Sequence, residues 1–172
     1  YWGTSEWTAE EITEAYEFAY MNHLTPPSME QPQYNLLDRK RFEQEYGSLY
    51  EKYGLGTTIW SPLASGALTG KYLEGIPEGS RASLKGYEWL KKSMVESDRG
   101  QERMERVASL VPIAEKLNVS MSNLAIAWCL LNENVSTVIL GASKLEQLEE
   151  NLKSAELLPL FDDNIQKELL LI

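Results

Sequence analysis

Residues 60–66 (Trp-Ser-Pro-Leu-Ala-Ser-Gly) bring together side chains that are suited to holding a ligand. The preceding run is rich in β-branched and aromatic residues and predicts a strand, which Pro62 ends because proline has no N–H for the ladder. Small residues let the backbone approach a ligand, and the Trp60 ring offers a stacking surface. Lys71 and Arg81 follow as partners for anionic oxygens. An ordinary strand end and loop fit the same motif.

A second candidate site follows a later strand. Residues 136–140 (Ser-Thr-Val-Ile-Leu) predict a strand that is buried on both faces. Residues 141–143 (Gly-Ala-Ser) lead into a helix, and Ser143 with Glu146 has the spacing of a capping box. Free N–H groups and the helix dipole there favour an anion, typically a phosphate, although solvated residues behind an ordinary cap look the same. Polar residues that could reach a ribose or a base are Gln147, Glu150 and Asn151.

The residue inventory argues against several other kinds of site. Residues 66–72 differ from a P-loop in the spacing of their glycines, and Tyr72 stands at the Ser/Thr position, so we reject a nucleoside triphosphatase. His23 and Cys129 are the only residues of their types, which argues against a metal site, a Ser–His–Asp triad and an internal disulfide. Cys129 lies in an apolar run and is predicted to be a buried, unreactive thiol.

Composition limits the partners. Of the 172 residues 43% are hydrophobic and 24% charged, as in an ordinary globular domain. The formal net charge of −10 argues against nucleic acid and anionic membranes, but not against a small anion held by a few cations. No apolar run is long enough to span a membrane and no signal peptide is visible, so the predicted location is the cytoplasm.

The first third of the chain predicts two strands and two helices. Residues 1–5 are typical of a strand end, and because the first residue is not Met we expect the sequence to be a fragment. A capping-box pattern at Thr8 opens the first helix. Residues 28–31 predict a short strand, and a second helix runs from Asp38 to near Gly54.

The rest of the chain adds an insertion, four helices and one strand. Residues 62–102 are rich in glycine, but their aromatic and alternating charged residues predict short ordered helices. Residues 107–117 have helical spacing, Ser120 caps the next helix, and Asp162 precedes the last. This alternation predicts an α/β fold with parallel strands, whose four βα units amount to half of a (β/α)8 barrel.

Ligands of parallel α/β folds bind at the carboxyl ends of the strands. The predicted strand ends here are at Ser5, Gln31, Trp60 and residues 141–143. Each carries polar or stacking groups that core packing alone does not require.

Spaced segments across the whole chain resemble one known family. These segments are Tyr1-Trp2-Gly3-Thr4-Ser5, Glu30-Gln31, residues 60–66, Gly70-Lys71-Tyr72, Ser80-Arg81, residues 125–130 and residues 141–151. Together they resemble the aldo-keto reductase superfamily, in the branch that contains voltage-gated potassium channel β subunits with plant and fungal relatives. The resemblance implies that residues 1–172 are the C-terminal half, strands five to eight with their helices, of an NADP-dependent (β/α)8 TIM-barrel oxidoreductase domain.

The resemblance also implies a site for NADPH. In the family pattern Ser5 and Gln31 bind the nicotinamide carboxamide, and Trp60 stacks on the nicotinamide ring. The residues that would line the pyrophosphate are Ser61, Pro62, Leu63, Ala64 and Gly66. Those that would hold phosphates over the cofactor are Lys71, Ser80 and Arg81. Those on the 2′-phosphate and adenine side are Ser143, Gln147, Glu150 and Asn151, and Gly141 is a further cofactor-binding residue.

Two departures favour a plant or fungal type of member: Glu6 stands where animal channel subunits have Arg, and Ser65 where they have Cys. The family's catalytic Asp, Tyr and Lys lie on its first four strands, so we predict no catalytic residue here and an inactive chain when alone. The leading hypothesis is an NADPH-dependent reductase of small aldehydes or ketones. The alternative is a regulatory subunit that binds a potassium channel and senses NADP, and the resemblance implies a tetramer.

Overall fold

A four-stranded parallel sheet organises the fold. The computed structural model describes the backbone of residues 1–172 and all side chains except that of Val95. The strands are β1 (Gly3–Thr4), β2 (Met29–Glu30), β3 (Gly56–Ile59) and β4 (Thr137–Val138). They pair in sequence order, β1-β2-β3-β4, and every pair is parallel. The predicted α/β class with parallel strands is therefore confirmed.

Helices connect and follow the strands. The α-helices are α1 (Ala9–Met21), α2 (Gly47–Tyr53), α3 (Glu88–Lys91), α4 (Asp98–Leu117), α5 (Met121–Leu130), α6 (Leu145–Leu152) and α7 (Asp163–Leu170). Shorter π-helical segments are Arg41–Glu45 and Lys92–Glu96, and 3-10 segments are Ala64–Thr69, Arg81–Ser83 and Lys153–Leu160. The insertion thus contains short ordered helices, as its composition predicts. No helix in the described part of the chain is both long and apolar enough to cross a bilayer.

The chain divides into two compact units. The first unit comprises Tyr1–Pro62 and Cys129–Gly141, and the second comprises Leu63–Trp128 and Ala142–Ile172. All four strands belong to the first unit. Its helical core is aromatic, since the rings of Tyr16 in α1 and Tyr53 in α2 stack with their centroids 4.1 Å apart.

Helix α1 follows its sequence signals closely. The Glu11 backbone N–H donates to Thr8 Oγ1 (3.2 Å), and the Thr8 N–H donates to Glu11 Oε2 (2.7 Å), which completes the predicted capping box. Ile12, Tyr16 and Ala19 form the buried face. Their three- and four-residue spacing places them on one side of the helix, so local caps and periodicity account for this element.

Side-chain caps also begin helices α4, α5 and α7. Ser97 Oγ accepts from the Gly100 N–H (3.0 Å) at the start of α4, and Ser120 Oγ accepts from the Asn123 N–H (3.1 Å) at the start of α5. Asp162 caps α7 in the same way. The predicted helix starts at Ser120 and Asp162 are therefore confirmed.

The prediction of a long, doubly buried strand over residues 136–140 is wrong. Strand β4 has two residues, Thr137 is exposed, and the Ile139 side chain is 39% exposed. The cause is the position of β4 at one end of the sheet, where among the described residues it pairs with β3 alone. An apolar strand is buried on both faces only when other elements cover it, and sequence composition cannot supply those elements.

Cys129 in α5 is buried, as the sequence predicts, and its thiol lies 3.8 Å from the Tyr34 carbonyl oxygen. Burial raises the thiol pKa and so disfavours the reactive thiolate. We expect an aromatic disulfide reagent at mildly alkaline pH to leave the folded chain unlabelled and to label one thiol per chain in denaturant. Native labelling as fast as that of a free cysteine would contradict the burial.

Candidate functional site

Two predicted nicotinamide-binding residues lie side by side at the carboxyl ends of β1 and β2. Ser5 Oγ donates to the Gln31 carbonyl oxygen (3.0 Å), and the Gln31 N–H donates to the Thr4 carbonyl oxygen (2.9 Å). The Gln31 side-chain amide is 3.5 Å from Thr58 Oγ1, the weak end of hydrogen-bonding range. Ser5 is exposed and Gln31 half-buried. Both side chains thus keep polar capacity for a carboxamide ligand.

Trp60 follows β3 at the same edge of the sheet. Its backbone N–H donates to the Pro32 carbonyl oxygen (3.0 Å), and its carbonyl oxygen accepts from the Tyr34 N–H (3.3 Å). These bonds fix the Trp60 backbone to the segment that follows β2. The half-buried ring offers a surface for stacking. The first unit therefore brings Ser5, Gln31 and Trp60 to the carboxyl ends of three neighbouring strands, as the sequence predicts.

Glu6 was not predicted to take part in the site. Its Oε1 accepts hydrogen bonds from the Trp60 indole N–H (3.0 Å) and from the Gln33 backbone N–H (2.6 Å). Its Oε2 forms an ion pair with Arg41 Nη1. Glu6 therefore ties the loop after β1 to the predicted stacking ring. Its partners are distant in sequence, so no local pattern in the sequence could have indicated this contact.

Asn35 is a second residue that sequence reasoning missed. It is fully buried, and its amide Nδ2 donates to the Ser61 carbonyl oxygen (3.0 Å). Its Oδ1 accepts from the backbone N–H groups of Leu37 (2.9 Å) and Asp38 (3.0 Å). Asn35 thereby holds Ser61, whose φ of 57° lies in the left-handed region. The available signal was an Asn–x–Leu pattern that is compatible with an Asx turn.

A buried carboxyl supports the loop after β1. Glu30 is fully buried in β2, and its Oε2 accepts from the Thr4 hydroxyl. Burial raises the Glu30 pKa, while the hydrogen bond from the Thr4 hydroxyl and the nearby backbone N–H groups of Glu6 and Trp7 lower it. The fold consequently makes this carboxyl harder to ionise than a free glutamate.

Replacing Glu30 by Gln should change how stability depends on pH. Because the folded pKa is raised, the contribution of Glu30 is complete below the unfolded value and is lost as pH rises through the folded value. We expect the melting temperature of the wild-type chain to fall by about a few degrees as pH rises above the ordinary glutamate pKa of about 4.3, and Glu30→Gln to flatten this fall. Circular dichroism would follow unfolding, and Glu14→Gln is the control because Glu14 is an exposed residue of α1. Equal slopes in all three proteins would contradict the assignment.

The predicted phosphate loop of the second unit has a strained backbone. Ala64, Ser65 and Gly66 all have positive φ, at 47°, 56° and 94°. Such conformations cost a non-glycine residue roughly 1–3 kcal/mol and persist where the surroundings impose them, often at ligand-binding loops. The Leu63 carbonyl oxygen closes the turn by accepting from the Gly66 N–H (2.8 Å).

Lys71 lies against this loop. A Cβ atom placed on Gly66 would be 2.8 Å from the Lys71 Cε and Nζ atoms, so the lysine side chain crosses the glycine backbone. The Lys71 ammonium is also 5.0 Å from the centre of the Tyr72 ring. The structure therefore brings the predicted pyrophosphate loop and one predicted phosphate-binding cation together.

Ser80 and Arg81 lie further along the insertion. In the part of the chain that the structure describes, Ser80 Oγ is buried without a hydrogen-bond partner. Arg81 is exposed, and its guanidinium carbon is 5.9 Å from the centre of the Tyr87 ring. A buried hydroxyl without a partner is uncommon. A ligand oxygen would satisfy it, which is consistent with a phosphate-holding segment.

The capping box predicted for Ser143 and Glu146 is wrong. Helix α6 begins one residue later than that pattern requires, with Lys144 as its N-cap, so the residue that reaches back is Gln147. Gln147 Oε1 accepts from the Ser143 N–H (3.0 Å), the Ser143 hydroxyl (3.1 Å) and the Lys144 N–H (3.2 Å). A side-chain carbonyl thus engages the N–H groups to which we had assigned an anion.

Glu150 and Asn151 lie at the other end of α6. Glu150 Oε2 pairs with Lys153 Nζ (3.1 Å), and Asn151 is buried. The buried amide of Asn123 in α5 donates to the Glu150 carbonyl oxygen (2.7 Å) and to Ser154 Oγ (2.9 Å). Asn123, which was not predicted, therefore fixes the segment that carries both residues.

Each unit offers a distinct chemistry. The predicted residues of the first unit are Ser5, Gln31, Trp60, Ser61, Pro62 and Gly141. Those of the second unit are Leu63, Ala64, Gly66, Lys71, Ser80, Arg81, Ser143, Gln147, Glu150 and Asn151. The first set supplies a ring and amide-binding groups, and the second supplies cations, hydroxyls and backbone N–H groups for anions. The described residues include no group of side chains that could hold a metal ion.

Comparisons with known proteins identify the family of the chain. A family model described as "Aldo/keto reductase family" matches residues 1–167. Over 166 residues the chain is 49% identical to a rice protein (Oryza sativa subsp. japonica) named "Probable voltage-gated potassium channel subunit beta". The match covers 96% of the chain and 49% of that relative. The chain therefore spans about half the length of the curated relative it matches.

Proposed function

The chain belongs to the aldo/keto reductase family of oxidoreductases, and on that basis we propose that it supplies the NADPH-binding residues of a reductase for small aldehydes and ketones. The observation that carries the proposal is the placement of Ser5, Gln31 and Trp60 at the carboxyl ends of neighbouring parallel strands. This is where α/β folds bind ligands. When bound, NADPH would supply the hydride for carbonyl reduction.

The residues of the first unit hold the nicotinamide end in this proposal. Ser5 and Gln31 bind the carboxamide, for which an exposed hydroxyl and a half-buried amide provide both donors and acceptors. Trp60 stacks on the ring and sets the face that is presented to the substrate. Asn35 keeps the following backbone in place through its bond to the Ser61 carbonyl oxygen.

The residues of the second unit hold the phosphates and the adenosine. Lys71 and Arg81 provide charge, and the unpartnered Ser80 hydroxyl provides a hydrogen bond. The Gln147 side-chain carbonyl oxygen occupies the N–H groups of Ser143 and Lys144. It must move away before an anion can bind these groups. Glu150 and Asn151 are assigned to the adenine side on the family pattern.

We further propose that β1–β4 are strands five to eight of a (β/α)8 barrel. Their parallel order and the two open ends of the sheet support this, as does the match to about half of the rice relative. The catalytic Asp, Tyr and Lys of the family would then belong to the other half. A joined protein that combines this chain with the part of the rice relative outside the match would contain both halves.

The role of Trp60 can be tested by cofactor titration of the joined protein. Trp60→Ala should raise the NADPH dissociation constant about tenfold or more, because it removes a large stacking surface. Trp89→Ala is the matched control, since the Trp89 side chain is 61% exposed and lies outside the proposed site. Fluorescence of bound NADPH gives the constants. Equal constants for Trp60→Ala and the parent would overturn the assignment.

The name of the rice relative supports a second candidate function, a regulatory subunit of a voltage-gated potassium channel. The acidic composition and Glu6 favour the reductase. Co-purification of the joined protein with the cytoplasmic domain of such a channel, measured beside turnover of a simple aldehyde, separates the two. Stoichiometric channel binding without turnover would reverse our ranking.

A further inference from the structure

We propose that Glu6 positions the Trp60 ring, and that its charge makes the site favour oxidised over reduced nicotinamide. This rests on the proposed stacking of Trp60 on the cofactor. Glu6 would be a positioning residue that acts through the indole and touches neither substrate nor cofactor.

The geometry ties the indole to the backbone. Glu6 Oε1 accepts from the Trp60 indole N–H (3.0 Å) and from the Gln33 N–H (2.6 Å). Gln33 in turn forms a parallel bridge with Trp60. Glu6 Oε1 thus links the Trp60 ring to the backbone of Gln33, which also pairs with the Trp60 backbone. This link restricts rotation of the ring.

Glu6 itself is held in place. Its φ of 60° is uncommon for a non-glycine residue and persists where the surroundings determine it. Arg41 Nη1 pairs with Glu6 Oε2 and lies 3.5 Å from the Glu6 carbonyl oxygen. Arg41 Nε is 3.8 Å from Glu45 Oε2, so a second carboxylate restrains the guanidinium.

The charge of Glu6 gives the contact a chemical consequence. Oxidised nicotinamide carries a positive charge and reduced nicotinamide is neutral. A ring that donates its N–H to a carboxylate is more electron-rich, and both the ring and the carboxylate attract a cation. Arg41 opposes part of this effect because it faces the other carboxylate oxygen. The remaining preference for binding oxidised over reduced nicotinamide should be several-fold.

Two substitutions separate the hydrogen bond from the charge. Glu6→Gln keeps an oxygen acceptor for the indole but removes the charge, whereas Glu6→Ala removes both. Glu14→Gln makes the same charge change at an exposed residue of α1 that lies outside the proposed site. The first readout, on the joined protein without cofactor, is the NMR signal of the Trp60 indole N–H, assigned by its loss in Trp60→Phe. The second is the ratio of dissociation constants for NADP⁺ and NADPH, measured on the joined protein.

We expect Glu6→Ala to shift the indole signal to that of a solvent-exposed tryptophan, and Glu6→Gln to leave it near its original position. Both variants should weaken NADP⁺ binding relative to NADPH binding, so the ratio of the NADP⁺ dissociation constant to the NADPH dissociation constant should rise roughly threefold to tenfold. The control Glu14→Gln should leave this ratio unchanged. An unmoved indole signal in Glu6→Ala, or an unchanged ratio in Glu6→Gln, would overturn the inference. Failure of the proposed function looks different, because Trp60→Ala would then leave both constants unchanged.

Discussion

Residues 1–172 alone should reduce no aldehyde, whereas the joined protein should do so at least about a hundredfold above background. Hydride transfer to a carbonyl needs a proton donor, and a positioned general acid contributes about 10²–10⁴-fold. In the proposed half-barrel, that acid and its Asp and Lys partners would lie on strands outside this chain. The loss of NADPH absorbance with a simple aldehyde measures turnover. Turnover by residues 1–172 alone would contradict the proposed half-barrel.

Exposed apolar surface gives this expectation a structural counterpart. Strands β1 and β4 end the sheet, and α6 exposes Leu145 (66%), Leu148 and Leu152 on one face. Burying each such side chain contributes roughly 1.5–3 kcal/mol, so residues 1–172 should self-associate. Sedimentation velocity would detect this, and Leu145→Glu should reduce it. A monodisperse monomer of the parent chain would contradict the expectation.

Local signals explain which elements could be predicted. The start of α1 is set by Thr8 and Glu11 within one helical turn, and α7 begins at the cap residue Asp162. The burial of residues 136–140 was mispredicted because it depends on which elements cover the strand. Helix α6 begins one residue later than predicted, so Gln147 rather than Glu146 is the residue that bonds back to the start of the helix.

The candidate site divides in the same way. Ser5, Gln31 and Trp60 were predictable because each follows a recognisable strand, and parallel strands bring their carboxyl ends to one edge. Glu6 was not, because its role depends on a positive φ and on a partner 54 positions away. Asn35, too, reaches Ser61 across 26 positions. Long-range hydrogen bonds of this kind have no periodicity to detect.

Arg81→Ala should reduce the preference of the joined protein for NADPH over NADH about tenfold. NADPH differs from NADH by its 2′-phosphate, and a charged hydrogen bond contributes about 1.5–3 kcal/mol when it is formed. Arg81 is exposed, and its guanidinium lies near the Tyr87 ring rather than in an ion pair within the described structure. It can therefore turn to an anion without breaking a salt bridge. Paired titrations with the two cofactors measure the preference.

Arg99→Ala is the matched control, because Arg99 is an exposed arginine on α4 that the family pattern does not assign to the cofactor. Salt screens an exposed charge pair such as that between Arg81 and a phosphate, and Arg81→Ala lacks this pair. Raising the salt concentration should therefore weaken NADPH binding more in the parent than in the variant. Lys71, held across Gly66, should then matter for both cofactors, because its place at the loop favours the shared pyrophosphate. Equal affinity of the parent for NADPH and NADH would overturn the expectation that Arg81 contacts the 2′-phosphate.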